Sequence, residues 1–274
     1  GQDQAYAQTI NNLGVFYRFI GRFKDAEKYL LRAQELKSVA FGRTHEEYAI
    51  TNSTIGLLYF DLSRYAEAKL LFEEARKIIE NKLTKKHFDY ASFTYNQAKV
   101  HMMMGEYDKA ETLYEEARGI QELIYKKDHP ETARTLLDLG QMYYQLGETG
   151  KSLLYLERTK KSFEAVFGRN HPEYITVSNH IAGVLFAMGK YSAAEAIATE
   201  TRAAIENIKV KNPLFTIANN NLFFNIYRER GDYISAESTG LSTLDTIQKY
   251  FPQSNVHVIN TYYNLGILYN LTGQ

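Results

Sequence analysis

The sequence predicts an all-α fold: a right-handed superhelical α-solenoid of tandem antiparallel helix hairpins, about six and a half units long. Three observations predict it. The chain repeats itself every 42 residues, with no insertion or deletion in six steps. Within a period, apolar residues recur at helical spacing, as at Ile10, Leu13, Gly14 and Tyr17. Helix-forming residues run throughout, and the chain has only 4 prolines and no obvious hairpin dipeptides, which argues against an all-β fold.

The register rests on five columns. Gly21 becomes Ser63, Gly105, Gly147, Gly189, Gly231 and Gly273. Phe23 becomes Tyr65, Tyr107, Thr149, Tyr191 and Tyr233, and Ala26 becomes Ala68, Ala110, Ser152, Ala194 and Ala236. Tyr17 becomes Tyr59, His101, Tyr143, Leu185, Tyr227 and Tyr269. Gly14 becomes Gly56, Ala98, Gly140, Ala182, Phe224 and Gly266. In each unit a first helix ends at the Gly column, where a positive φ costs little. A second helix follows at once, as over 22–39, and closes a helical hairpin. Small residues at the Gly14 and Ala26 positions let the two helices approach, and the ring at the Phe23 position fills space beside the turn. One hairpin cannot bury its apolar face alone, so its neighbours stack on it. The units run 4–44, 45–86, 87–128, 129–170, 171–212 and 213–254, with a half unit at 255–274, in a single array over 1–274.

This pattern resembles the tetratricopeptide repeat family over essentially the whole chain. The small–aromatic–small signature stands as Leu13-Gly14, Tyr17, Ala26, Leu30, Ala33, and again as Ile55-Gly56, Tyr59, Ala68, Phe72, Ala75. The ordinary family period is about 34; the longer period here, with His-Pro before a first helix, resembles the kinesin-light-chain type. The segments that carry this likeness are DHPETARTLLDLGQMYYQLG at Asp128–Gly147 and NHPEYITVSNHIAGVLFAMG at Asn170–Gly189. Several units depart from the pattern. Gln97 and His101 stand where apolar and Tyr are typical, Thr149 replaces the ring, and Phe224 is bulky at the small position with Gly240 inside the following helix. Looser or shifted packing is expected there. The array stops at Gln274 after a first helix, without a polar capping element, which reads as a piece of a longer protein.

Composition narrows the function. Lys+Arg and Asp+Glu are both 32, so no basic surplus supports nucleic-acid binding. The absence of Cys removes disulfides, thiolate nucleophiles and Cys-based zinc sites. No apolar run approaches the roughly 18 residues of a membrane span, and the N-terminus is not a signal peptide. The family resemblance favours a cytoplasmic location, while a processed periplasmic fragment also fits.

Stacked hairpins place their first helices on the concave side, where the resemblance puts a ligand. The candidate groove residues are Asn12, Tyr95, Asn96, Lys99, Asp138, Gln141, Tyr144, Asn179, His180, Asn221, Asn225 and Arg228. An Asn two positions before the small residue resembles the groove Asn of the light-chain type, whose amide can bond both N–H and C=O of an extended peptide. Core packing explains Asn12, Asn96, Asn179, Asn221 and Asn225 poorly, so exposure is expected. Phe60, Met102 and Phe186 fit neighbour packing as well as ligand contact. Lys99 and Arg134 do not match the spacing of the family's carboxylate clamp for chaperone tails.

Other chemistry is suggested only weakly. His45, His87, His129 and His171 fall in different inter-repeat loops, too far apart to share one metal at ~2.0–2.1 Å, and read as helix starts or loop contacts. Gly147-Glu148-Thr149-Gly150-Lys151-Ser152 ends in GKS, but Gln145 stands where a phosphate loop needs Gly, and a helix precedes it instead of a strand. Glu73-Glu74 and Glu115-Glu116 read as a solvated outer face, and the Asn52-Ser53-Thr54 glycosylation pattern falls inside a helix. The sequence therefore predicts a non-enzymatic scaffold with no cofactor or metal, no nucleic-acid or membrane partner, and a protein or peptide ligand. One alternative is a regulatory array whose protease-like or signalling domain belongs to the same polypeptide beyond these residues. Another is a solenoid that self-assembles through its exposed ends.

Overall fold

The computed structural model describes residues 2–125, 128–251 and 255–273; the expected boundary at 254 and the terminal Gln274 lie outside them. Thirteen helices and no strand occur among the described residues. The helices pair as α1 (Gln2–Phe19) with α2 (Phe23–Ala40), α3 (Glu46–Asp61) with α4 (Tyr65–Lys82), and α5 (Phe88–Met103) with α6 (Tyr107–Ile124). Next come α7 (Pro130–Gln145) with α8 (Thr149–Phe167), α9 (Pro172–Ala187) with α10 (Tyr191–Asn207), and α11 (Pro213–Glu229) with α12 (Tyr233–Tyr250); α13 (Asn255–Thr272) packs on α12. The Cα framework forms two compact units, Gly1–Lys127 holding α1–α6 and Asp128–Gln274 holding α7–α13.

The helix ends follow from a few residues. His45, His87, His129 and His171 are N-caps: Nδ1 of each accepts the backbone N–H two residues on, at 3.2 Å. Each thereby satisfies one of the orphan donors of the first turn. Asn212 does the same for α11, accepting from the Leu214 N–H at 3.0 Å. At the hairpin turns one motif recurs. Arg22 N–H donates to Tyr17 C=O at 2.9 Å, and Gly21 N–H to Arg18 C=O at 3.0 Å, a Schellman closure. It needs a left-handed residue, and Gly21 supplies φ 74°. In the second unit Ser63 holds φ 59° at that position, where a Cβ meets a steric penalty of about 1–2 kcal/mol. Part of this returns as unfolded-state entropy when Gly is introduced. Ser63→Gly should therefore raise stability by up to about 1 kcal/mol, read as a higher urea midpoint at unchanged m-value.

Three hairpins close by fitting a large residue of the second helix against a Gly of the first, while the fifth has Ala at both positions, Ala182 and Ala198. A Cβ on Gly14 would lie 2.6 Å from Leu30 Cγ, on Gly56 2.9 Å from Phe72 Cζ, and on Gly140 2.7 Å from Leu156 Cγ. Two of the departures expected to loosen or shift the packing take a definite form. In the sixth unit the sizes are exchanged: Phe224 fills the space that Gly240 leaves, and a Cβ on Gly240 would lie 3.3 Å from the Phe224 ring. Phe224 is 2% exposed and packs with Ala236, Leu265 and Leu268. In the third unit the polar residues are buried but partnered. Gln97 accepts from Arg76 at 2.6 Å and donates to Glu73 at 3.2 Å, and His101 Nδ1 lies 2.6 Å from Glu106 Oε2. These contacts supply the pairing that burial of a polar group demands.

Candidate functional site

In each compact unit the first helices touch one another, α1–α3–α5 in one and α7–α9–α11 in the other. The candidate residues lie along these helices. In the first unit Asn12 is exposed and accepts from the Gln8 amide at 3.0 Å. Asn96 is buried at 9% exposure, so its environment differs from the expected open one. Lys99 is half-buried, its ammonium 5.2 Å from the Phe60 ring centroid and 5.7 Å from that of Tyr95. It has no carboxylate partner among the described residues. Phe60 also meets Tyr65 edge-on at 5.5 Å, and Met102 accepts from the Tyr114 hydroxyl at 3.7 Å. The Phe60 ring and the Met102 thioether therefore have packing roles beside any ligand contact.

In the second unit Asp138, Gln141, Asn179, His180, Asn221, Asn225 and Arg228 are all half-buried, and Tyr144 is exposed. Two contacts bind neighbouring first helices together. The Gln141 amide nitrogen lies 2.8 Å from His180 Nε2, which puts the imidazole proton on Nδ1 when the amide donates. The Asn219 amide donates to Asn179 Oδ1 at 3.4 Å and to Ala198 C=O at 3.0 Å. Arg228 pairs with Glu229 at 2.9 Å. The side-chain amides of Asn221 and Asn225 have no hydrogen-bond partner among the described residues. A half-buried amide left free offers one acceptor and two donors to whatever lies over it.

Burial holds the His180 imidazole below its ordinary range. The unfolded chain consequently binds the proton more readily. Stability from the neutral ring is complete above about pH 6.5 and is lost as the pH falls through the lower folded-state value. The His180 ring resonances should titrate at lower pH than those of an unstructured His peptide, and His180→Gln should flatten the acid-side stability profile.

Of the carboxylates placed by sequence on a solvated face, Glu74 is exposed and Glu115 pairs within its own helix with Arg118, while Glu73 and Glu116 bond across to a neighbouring hairpin, which is a correction for those two. The Arg76 guanidinium donates to the Tyr90 hydroxyl at 2.8 Å and to Glu116 at 3.1 Å, and Tyr90 donates to Glu116 at 2.9 Å. The same three positions recur 84 residues on: Lys160 and Tyr174 both donate to Glu200, at 3.0 Å and 2.5 Å. Burial, with the Glu200 carboxylate beside it, raises the Tyr174 phenol above its usual range. Glu74 accepts from Asn52 at 2.9 Å, and Asn52 is fully buried in α3, which removes it as a glycosylation acceptor. These residues were legible as a recurrence of Tyr and Glu at matched spacing, a signal hidden by reading charges one at a time. Ser152 of the GKS segment donates to the Gly140 carbonyl at 2.7 Å and lies inside α8, so it belongs to hairpin packing. No group of three or more His, Asp or Glu that could hold a metal occurs among the described residues. No described helix is long and apolar enough to cross a membrane.

The repeat register, the Gly-closed turns and the small–large hairpin packing define a class, and the sequence match agrees. The tetratricopeptide repeat model matches residues 5–81 and 89–165, and the chain belongs to that family. Solved structures share the fold. BtubC (BKLC) from P. vanneervenii is 18% identical with a TM-score of 0.71, over 85% of this chain and 93% of that one. The kinesin light chain TPR-like repeats of Podosopora anserina are 18% identical with a TM-score of 0.64, over 73% of this chain and 95% of theirs. The apo quorum sensor NprR from B. thuringiensis is 14% identical with a TM-score of 0.66, over 97% of this chain and 76% of its own. No curated protein sequence matches the chain significantly.

Proposed function

We propose that this chain is a non-catalytic protein-interaction scaffold, which holds a peptide segment of a partner against the exposed face of its first helices. The observation that carries this reading is the pair of free amides on α11, Asn221 and Asn225, beside Asn179 and His180 on α9. A row of amides grips main-chain N–H and C=O groups whatever the side chains are. Tyr144 adds an aromatic contact suited to a binding surface. On the first unit, Lys99 between two rings gives a cation to an acidic or carbonyl group. That the quorum sensor NprR has this fold fits a holding role.

The test uses peptide display on the full chain. Peptides selected on wild type should lose at least about tenfold in affinity on an Asn179→Ala/Asn221→Ala/Asn225→Ala variant, as 1.4 kcal/mol corresponds to that factor. They should be unaffected by Glu157→Ala on the opposite helix layer. Equal binding to wild type and the amide variant would refute the proposal.

A further inference from the structure

We propose a second binding site, away from the amide face, for a small zwitterionic carboxylate of the amino-acid type. It lies in the cleft between α10, α11 and α12. The clamp described above explains why a cleft exists there. At each clamp a second helix supplies a cation, the next first helix a tyrosine, and the next second helix a glutamate. The series reads Arg76, Tyr90, Glu116 and then Lys160, Tyr174, Glu200. These two clamps stand two repeats apart; the repeat between them reads Arg118, Thr132, Arg158, and the repeat after them reads Arg202, Thr216, Ser242. In that last repeat the cation is kept, while the ring and the carboxylate are replaced by hydroxyls. The space those groups would fill is open, a cleft of about 370 Å³ whose lining includes Arg202, Glu206, Thr216, Asn220, Ser238 and Ser242.

Arg202 is positioned but not neutralised. Its guanidinium stacks 3.8 Å from the Phe223 centroid and reaches Asn220 Oδ1 only at 3.5 Å. It has no carboxylate partner among the described residues, and the Glu206 carboxylate has no ion-pair partner among them, the Lys211 ammonium nearby bonding the main-chain carbonyls of Ile205 and Glu206 instead. The two stand one turn apart on α10, yet they do not pair. The corresponding pair on α6, Arg118 and Glu122, closes at 2.8 Å. The cleft thus offers an open cation and an open anion along one wall, with hydroxyls and the Asn220 amide between α11 and α12. A ligand carboxylate takes the place against Arg202 that Glu116 and Glu200 take against their cations. Its ammonium faces Glu206. A polyanion would meet Glu206, and a simple amine would meet Arg202. Thr216, Asn219 and Asn220 lie on the side of α11 opposite Asn221 and Asn225, so this site faces away from the peptide face, to which Asn219 links it through its bond to Asn179.

Calorimetric titration of the full chain with the twenty free amino acids tests the proposal. Acetate, ethylamine and inorganic phosphate serve as single-charge and polyanion probes. At least one amino acid should bind, and the three probes should bind at least tenfold more weakly. Arg202→Gln and Glu206→Gln should each weaken that binding at least tenfold. Thr216→Tyr/Ser242→Glu, which rebuilds the clamp, should abolish it while keeping a Tm no lower than wild type. That refilled variant guards against loss through misfolding. The proposal is overturned if no amino acid binds, if phosphate binds as well as the zwitterion, or if binding survives in the refilled variant.

Discussion

Phe224→Ala is expected to destabilise the chain by about 3–5 kcal/mol, the range for removing a fully buried phenyl ring. The ring is 2% exposed and sits in a cluster with Ala236, Leu265 and Leu268. Its space exists because residue 240 is Gly, whereas the matching residues of the first four units are Leu30, Phe72, Tyr114 and Leu156, and that of the fifth is Ala198. Gly240→Leu should also destabilise, since a Cβ there already lies 2.7 Å from Leu265 Cδ2 and 3.3 Å from the Phe224 ring. The two changes together restore the ordinary order, small on the first helix and large on the second. The double variant should therefore be more stable than the sum of the singles by about 1–3 kcal/mol, the coupling of residues that share one space. Strictly additive losses in urea unfolding would show that the sixth hairpin does not pack by exchange.

Glu116→Ala should cost about 2 kcal/mol, because it strands groups that cannot return to water. The Tyr90 ring is fully buried, and its hydroxyl donates to Glu116. The Arg76 side chain is only 18% exposed, and its Nε is already without a partner. A wholly buried pair would cost more, and the 31% exposure of Glu116 moderates the loss. Glu67→Ala breaks a pair that is formally similar, with Arg64, yet it should leave stability nearly unchanged. Glu67 is 51% exposed and Arg64 keeps Glu27 at 2.7 Å. Chemical denaturation of both variants separates a clamp from a surface ion pair. Similar losses would mean that the clamp carries no special stability.

The hairpins were legible because their determinants are local and periodic. A Gly that needs positive φ, a small residue opposite a large one, and a His before a first turn each announce themselves at a set offset. What stayed hidden depends on two positions at once. Phe224 alone reads as a packing fault, and only Gly240 beside it in space shows the exchange. Glu116 alone reads as a surface charge, and only Arg76 and Tyr90 from two other helices make it a clamp. The amide face is intermediate. Helical phase placed Asn179, Asn221 and Asn225 on first helices, but burial of Asn96 depends on local packing that periodicity does not specify. The pairing of Gln141 with His180 likewise joins residues 39 apart in sequence, a relation no single-helix pattern contains.

The most direct test of the scaffold reading is hydrogen exchange on the full chain, with and without a display-selected peptide at saturating concentration. The reading predicts new protection on the first helices, above all on α9 and α11, with the second helices unchanged. Protection confined to α8, α10 and α12 would contradict it, because the partner would then lie on the other layer of the repeats.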